Sequence, residues 1–169
     1  MRPMVLAAAA ALTSCGYHVS GHADLLPKEI KTIAIPAFAN LTVRHKLADR
    51  LPAALTREFI RRTRYRVIQD QNQADAILSG AVLSYNSYPT VFDPATGRAA
   101  GIQVIVTLQV RLTERATGKV LFLRESMEAR QRYEISTDQV AYFEESSAAI
   151  ERLSQEVARL LTSAILENF

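Results

Sequence analysis

The chain of 169 residues has little with which to do covalent chemistry. It holds one cysteine, Cys15, so no disulfide framework can form within it. It holds three histidines, His18, His22 and His45. Cys15 and His18 have a CxxH spacing, and His18 and His22 stand at i and i+4. Gly21 argues against the helix that would bring those two rings to one face. No phosphate-cradling glycine loop, nucleophile elbow or metal-ligand spacing occurs. No nucleophile–base pair can be named, so neither an enzyme nor a cofactor or metal is expected. Charge of one sign is scarce too. The net charge is +3, and the one dense basic run is Arg61-Arg62-Thr63-Arg64, too little to expect nucleic acid as a partner. The apolar run from Met4 to Leu12 falls short of the about 20 residues that a membrane-spanning helix needs, and no second run is long enough either. Disorder is excluded as well, because 49% of the residues are hydrophobic. The length fits one domain with a real core.

What is present begins at the N-terminus. Arg2 supplies one positive charge, Met4 to Leu12 a short apolar segment, and Thr13 and Ser14 two small residues before Cys15. This is the pattern of a secretory signal. With Leu12 ahead of the small pair, it resembles the bacterial lipobox. That resemblance implies cleavage after Ser14, a diacylglycerol on the Cys15 sulfur and an acylated new amine. The alternative is an ordinary cleavable signal followed by a free or buried cysteine. In enterobacterial lipoprotein sorting an Asp after the cysteine retains the protein at the inner membrane. Gly16 stands there, so the resemblance implies the outer membrane. The expected organisation is a signal peptide over 1–14, an acylated N-terminus and linker over 15–28, and one domain over 29–169.

Within that domain, Ile30 to Pro36 reads as a strand, with Ile33 and Ile35 on one face and Pro36 ending its pairing. Phe38 to Thr42 reads as a loop. Arg44 to Arg62 reads as a helix, since Leu47, Leu51, Ala54, Leu55 and Phe59 make one apolar stripe. Pro52 inside it either kinks the helix or marks its first turn. A short strand follows at Tyr65 to Ile68. A strand–helix–strand unit of this length puts its two strands parallel in one sheet.

The rest of the β region reads as a meander. Ala76 to Tyr88 is a strand, and Asp93 to Arg98 a turn. Ile102 to Thr113 alternates, with Ile102, Val104, Val106, Leu108, Val110 and Leu112 on one face. Gln103, Thr107, Gln109, Arg111 and Thr113 lie on the other, with Ile105 the exception. Ala116 to Lys119 turns the chain. Leu121, Leu123, Met127, Ala129 and Tyr133 are expected to pack, with Arg124, Glu128, Arg130 and Arg132 pointing away. Such alternation means an antiparallel hairpin with one dry and one wet face. Ser136 to Gln139 resembles a capping box before a helix running to about Glu167. Its expected apolar stripe is Phe143, Ile150, Leu153, Val157, Leu160, Ala164 and Ile165. Glu144 and Glu145 belong to its wet side.

The expected fold is α+β, a two-layer sandwich with two helices packed on one face of a mixed four- to five-stranded sheet. The other sheet face is left uncovered. It is either a partner surface or a solvated face.

These segments together resemble a known family. Cys15-Gly16-Tyr17-His18 after the lipobox is similar to the opening of the LptE family, the lipopolysaccharide-assembly lipoproteins. So are Lys31 to Pro36, Asn40, and Leu55, Glu58 and Phe59 in the first helix. Ala74 to Gly80 and Thr117-Gly118-Lys119-Val120 continue the likeness, in order, across the mature chain. The resemblance implies two helices on a four-stranded sheet and a non-enzymatic role. It implies a plug inside the β-barrel of LptD that helps that barrel fold, anchored at the periplasmic face of the outer membrane, and that helps pass lipopolysaccharide to the cell surface. It also implies lipopolysaccharide binding. The physical candidates for its phosphates are the basic loop residues Arg98, Lys119 and Arg115, although Thr-Gly-Arg and Thr-Gly-Lys also occur in ordinary hairpin turns. Arg111, Arg124, Arg130 and Arg132 are candidates for contact with the barrel wall. A generic outer-membrane lipoprotein that binds lipid or scaffolds a different pore is the alternative.

Overall fold

The computed structural model describes residues 26–95, 97–134 and 139–167, with backbone alone for 139–146. Cys15, His18, His22, the capping hydroxyls at Ser136 and Thr137, and the side chains of Phe143, Glu144 and Glu145 lie outside the described residues. In chain order the elements are β1 (Thr32–Ala34), β2 (Ala39–Asn40), α1 (His45–Arg62), β3 (Arg66–Ile68), β4 (Ala76–Phe92), β5 (Ala99–Glu114), β6 (Val120–Glu134) and α2 (Gln139–Leu166).

The strands form one mixed sheet in the order β3-β1-β4-β5-β6, with β2 pairing β4 beside β1. β1 is parallel to both β3 and β4, as the strand–helix–strand unit requires. β4, β5 and β6 are an antiparallel meander of long strands. The sheet therefore has six strands rather than four or five. The extra one is β2, in the stretch expected to be a loop. Two residues, Ala39 and Asn40, pair with Ala81 and Val82, too few to leave an alternating pattern.

Both helices lie over the same face of the sheet. In α1 the stripe Leu47, Leu51, Ala54, Leu55 and Phe59 is buried as expected. Pro52 does not mark the first turn, because the helix starts at His45 and continues through it. Its lost backbone donor is offset by burial of the stripe, worth about 1.5–3 kcal/mol per large side chain. In α2 the buried stripe runs Leu153, Val157, Ala158, Leu161, Ile165. Leu160 and Ala164, expected inside, are only partly buried, and Leu161 takes the central place. The two helices run parallel. Arg50 donates to the carbonyl (3.1 Å) and hydroxyl (3.0 Å) of Ser147, and Arg62 donates to Ser163 Oγ at 2.7 Å.

β5 follows its alternation. Val104, Val106, Leu108, Val110 and Leu112 are buried, with Ile105 half-exposed on the opposite face. β6 departs from it. Phe122, not Leu123, lies opposite Leu112 and is buried, while Leu123 lies opposite Arg111 on the outer side. Register shifts between Leu108 and Val110, and between Leu112 and Thr113, change the phase of the strand. A bulge swaps faces without leaving a gap in the hydrophobic pattern.

Gly80 is placed by close approach. A Cβ there would lie 2.4 Å from Phe38 Cε1 and 2.7 Å from the Gln109 carbonyl. The buried Phe38 ring lies directly against this bare stretch of β4 and links the β1–α1 connection to the core.

Candidate functional site

Among the described residues, no helix covers the second face of the sheet. The pairing places Ser79, Ala81, Ser84 and Asn86 of β4 on it, opposite Arg111, Gln109, Thr107 and Ile105 of β5. β6 adds Leu123, Glu128, Arg130 and Arg132. The surface is hydroxyl and amide at its centre, with charge toward the β6 edge. Ser84 Oγ donates to Thr107 Oγ1 at 2.9 Å across the strands. Arg130 pairs with Glu128 on its own strand. Arg132 Nε donates to Thr90 Oγ1 at 3.3 Å. Arg111 is exposed. No group here is buried against its chemistry, so the face offers hydrogen bonds and mixed charge to a partner rather than a reaction centre.

Three of the four arginines expected on this face are there. Arg124 is the exception. It lies opposite Val110, in the register of the packed face. Its guanidinium carbon sits 5.2 Å from the Phe122 ring centroid. A cation over an aromatic face holds the side chain at the sheet margin, away from the open surface.

The three basic loop candidates do not form one site. Arg98 follows Gly97 (φ +67°) in the β4–β5 turn, and Lys119 follows Gly118 (φ +70°) in the β5–β6 turn. Both turns close through backbone bonds, from Gly97 N to the Asp93 carbonyl at 2.8 Å and from Gly118 N to the Glu114 carbonyl at 2.9 Å. They cap opposite ends of the 16-residue β5. A strand of that length spans about 50 Å. Arg115 shares the Lys119 end. The Arg98 end also carries exposed Tyr88, Val91 and Phe92, apolar residues that the pattern of β4 alone did not single out.

Arg115 is partly structural. Its backbone N–H donates to the Asp75 carbonyl at 2.8 Å, and its Nε to the Ala74 carbonyl at 2.7 Å. Asp75 is the pin of this end of the sheet. Its Oδ2 accepts from Lys31 N (2.9 Å), Thr32 N (2.9 Å) and Thr32 Oγ1 (2.8 Å). These bonds, the one from Lys31 N foremost, hold the carboxyl below its usual range. A depressed carboxylate stabilises the fold above its unfolded pKa, and that contribution is lost as pH falls through the lower folded value. Asp75→Ala is expected to cost about 2 kcal/mol at neutral pH. In denaturant unfolding the gap between variant and parent should narrow as pH falls through the lowered folded value of Asp75. A gap unchanged by acid would assign the loss to something other than the carboxylate.

Asn40 has a comparable local role. Its Oδ1 accepts from Thr42 N at 3.1 Å and Thr42 Oγ1 at 2.9 Å, and its Nδ2 lies 2.9 Å from His45 Nδ1. His45 thus belongs to the lead into α1. Among the described residues no group of three or more His, Cys, Asp or Glu is arranged to hold a metal, and no helix is long and apolar enough to cross a membrane.

Comparison with known proteins agrees with this geometry. No curated protein matches the sequence. Solved structures match its fold. A chain from Caulobacter crescentus has 13% identity and a TM-score of 0.54, over 78% of this chain and 88% of its own. A protein from Xanthomonas campestris has 16% identity and a TM-score of 0.50, over 84% and 89%. A hypothetical protein from Chlamydia trachomatis has 10% identity and a TM-score of 0.51, over 80% and 98%. At such identities the likeness is one of fold. The sequence itself matches the LptE family, described as lipopolysaccharide assembly, over residues 30–165, which is nearly the whole described domain. The chain therefore belongs to the LptE family, the non-enzymatic lipoproteins of lipopolysaccharide assembly at the outer membrane.

Proposed function

We propose that the open sheet face seats this chain inside the lumen of an LptD-type β-barrel, as a plug that assists the barrel's assembly and takes part in passing lipopolysaccharide outward. The observation that supports this most is the uncovered face of β4, β5 and β6, with both helices on the other side. Barrel strands alternate apolar-out and polar-in, so the lumen is hydrophilic. A face of Ser, Thr, Gln, Asn and mixed charge suits that wall. An apolar face would not, because the lumen's polar groups would lose water without gaining partners.

The wall contacts fall to Arg111, Arg130 and Arg132, with Thr107 and Gln109 between them. The triple variant Arg111→Glu, Arg130→Glu, Arg132→Glu is expected to lower the co-purified barrel at least tenfold, because it turns local complementarity into repulsion. Its thermal unfolding should stay within a few degrees of the parent, since all three side chains are exposed. Full recovery of the barrel with a folded variant would contradict seating through this face. Arg98 at one end, and Lys119 with Arg115 at the other, are separate points at which an anionic lipid phosphate can be met.

Anchoring falls to Cys15. Two or three acyl chains at about 0.8 kcal/mol per buried CH₂ make an effectively permanent attachment. Cys15→Ala is expected to move the protein from the outer-membrane pellet to the soluble periplasmic fraction in cells lacking the barrel. Quantitative pelleting of that variant would contradict the anchor.

A further inference from the structure

The described chain begins at a groove of about 540 Å³. Its walls are Leu26, Pro27, Ile30 and Tyr65, and its cations are Lys28, Lys31, Arg64 and Arg66. Among the described residues, no acidic one lines it. Leu26 N donates to Tyr65 Oη at 3.1 Å, which fixes the entering chain over the ring. Lys28, Lys31 and Arg66 are exposed. The same end of the sheet carries Arg115 and Lys119. Arg66 N donates to the Lys31 carbonyl, Asp75 N to the Thr32 carbonyl, Arg115 N to the Asp75 carbonyl and Glu114 N to the Lys119 carbonyl, so β3, β1, β4, β5 and β6 all reach this edge. Of the described acids nearby, Asp75 is engaged by Lys31 and Thr32, Glu114 accepts from Thr117, and Glu29 is exposed outside the groove.

From this arrangement we propose that the groove and its basic edge form a second membrane contact, which binds the anionic phospholipid headgroups of the leaflet holding the acyl chains. The inference rests on the Cys15 anchor for its orientation. From Cys15 to Leu26 the chain can reach no more than about 40 Å even when fully extended. The groove is therefore at the tethered end of the domain, and the Arg98 turn lies at the far end of β5. A lipid headgroup suits the groove in two ways. Its phosphate meets Lys and Arg, and the glycerol and first methylenes meet Leu26, Pro27, Ile30 and Tyr65. Cations near an anionic surface add attraction that falls within a Debye length. With the acyl chains already holding the protein, the patch fixes how the domain stands on the membrane.

The test uses the mature chain from residue 15 carrying Cys15→Ser, so that neither the signal segment nor an acyl chain contributes. Binding is read by flotation with vesicles of phosphatidylcholine alone and of phosphatidylcholine with about one-third phosphatidylglycerol. The expected result is binding to the anionic vesicles only, falling at least tenfold between 0.05 and about 0.5 M salt. The triple variant Lys28→Glu, Lys31→Glu, Arg66→Glu should lose at least tenfold. A control triple with the same charge change elsewhere, Lys46→Glu, Arg57→Glu, Arg152→Glu, should lose less than threefold. Equal binding to both vesicles, no binding to either, or equal losses in the two triples would each overturn the proposal. The salt series on the chain with an intact groove needs no groove variant, so a misfolded triple does not blunt the test. Mass analysis of the native Cys15 peptide decides the anchor separately, so failure of the groove and failure of the anchor are told apart.

Discussion

Val106→Asp is expected to abolish folding of the domain. Val106 is fully buried in β5, opposite Tyr85 on β4 and Ala129 on β6. Its neighbours on that face are Val104 and Leu108, also buried. A carboxylate there has apolar described neighbours on that face of β5, and the adjoining backbone groups are used by the ladders on both sides. Either it stays charged without water or it takes up a proton to become neutral. Both routes cost several kcal/mol, against a total stability of about 5–15 kcal/mol for a domain of this kind. The expected loss exceeds about 4 kcal/mol, read as absence of a cooperative denaturant transition. Val106→Ala, which removes two methyl groups without adding charge, should fold with a loss of about 2 kcal/mol. A Val106→Asp variant that unfolds cooperatively within about 1 kcal/mol of the parent would mean that the packed and open faces are interchanged.

Gly80→Ala carries the second large effect. The added methyl would meet the Phe38 ring at 2.4 Å and the Gln109 carbonyl at 2.7 Å. The ring is buried and the carbonyl is backbone of the paired strand, so neither can swing aside. Either Phe38 leaves its place over β4 or the β4–β5 pair opens locally. The expected loss is about 3 kcal/mol, the upper range for overpacking. Phe38→Ala alone should cost a similar amount by leaving a cavity. The double variant should lose clearly less than the two singles together, because removing the ring removes one of the two clashes. Strict additivity in denaturant unfolding would show that Gly80 is not held by Phe38.

How far the sequence carries this fold depends on the kind of pattern each element leaves. α1 and β5 repeat one period over many residues, so Leu47 to Phe59 and Val104 to Leu112 were assigned to the correct face. The parallel pairing of β1 with β3 follows from chain connectivity alone. What escaped was whatever broke the period without leaving a gap. The β6 register shifts bring Phe122 inward and turn Leu123 outward while every position in between remains plausible for either face. Alternation assigns Arg124 to the wet face for the same reason. In α2, Leu160 and Leu161 are equivalent by composition, and only packing against the sheet and α1 selects Leu161. β2 pairs through backbone at Ala39 and Asn40, and its side chains carry no trace of it.

The candidate site was legible in a different way. The polar residues of β5 predict an open face, and Arg111, Arg130 and Arg132 lie on it. The separation of Arg98 from Lys119 and Arg115 was already implied by two turns at the two ends of one strand. The groove at Leu26 was not foreseen, since it joins a linker to residues after α1 and has no periodicity. The motif Ala74 to Gly80, read as a family likeness, acquires a physical basis in the structure. Asp75 pins three strands and Gly80 receives a ring.

The central claim is that this chain works while seated in a lipopolysaccharide-exporting barrel. It is tested most directly by solubilising native outer membranes in mild detergent, capturing the tagged mature protein and identifying by mass spectrometry what remains bound. One large β-barrel at close to one copy per copy of this chain is expected. Recovery of a different secretion pore, or of no barrel at all, would contradict it.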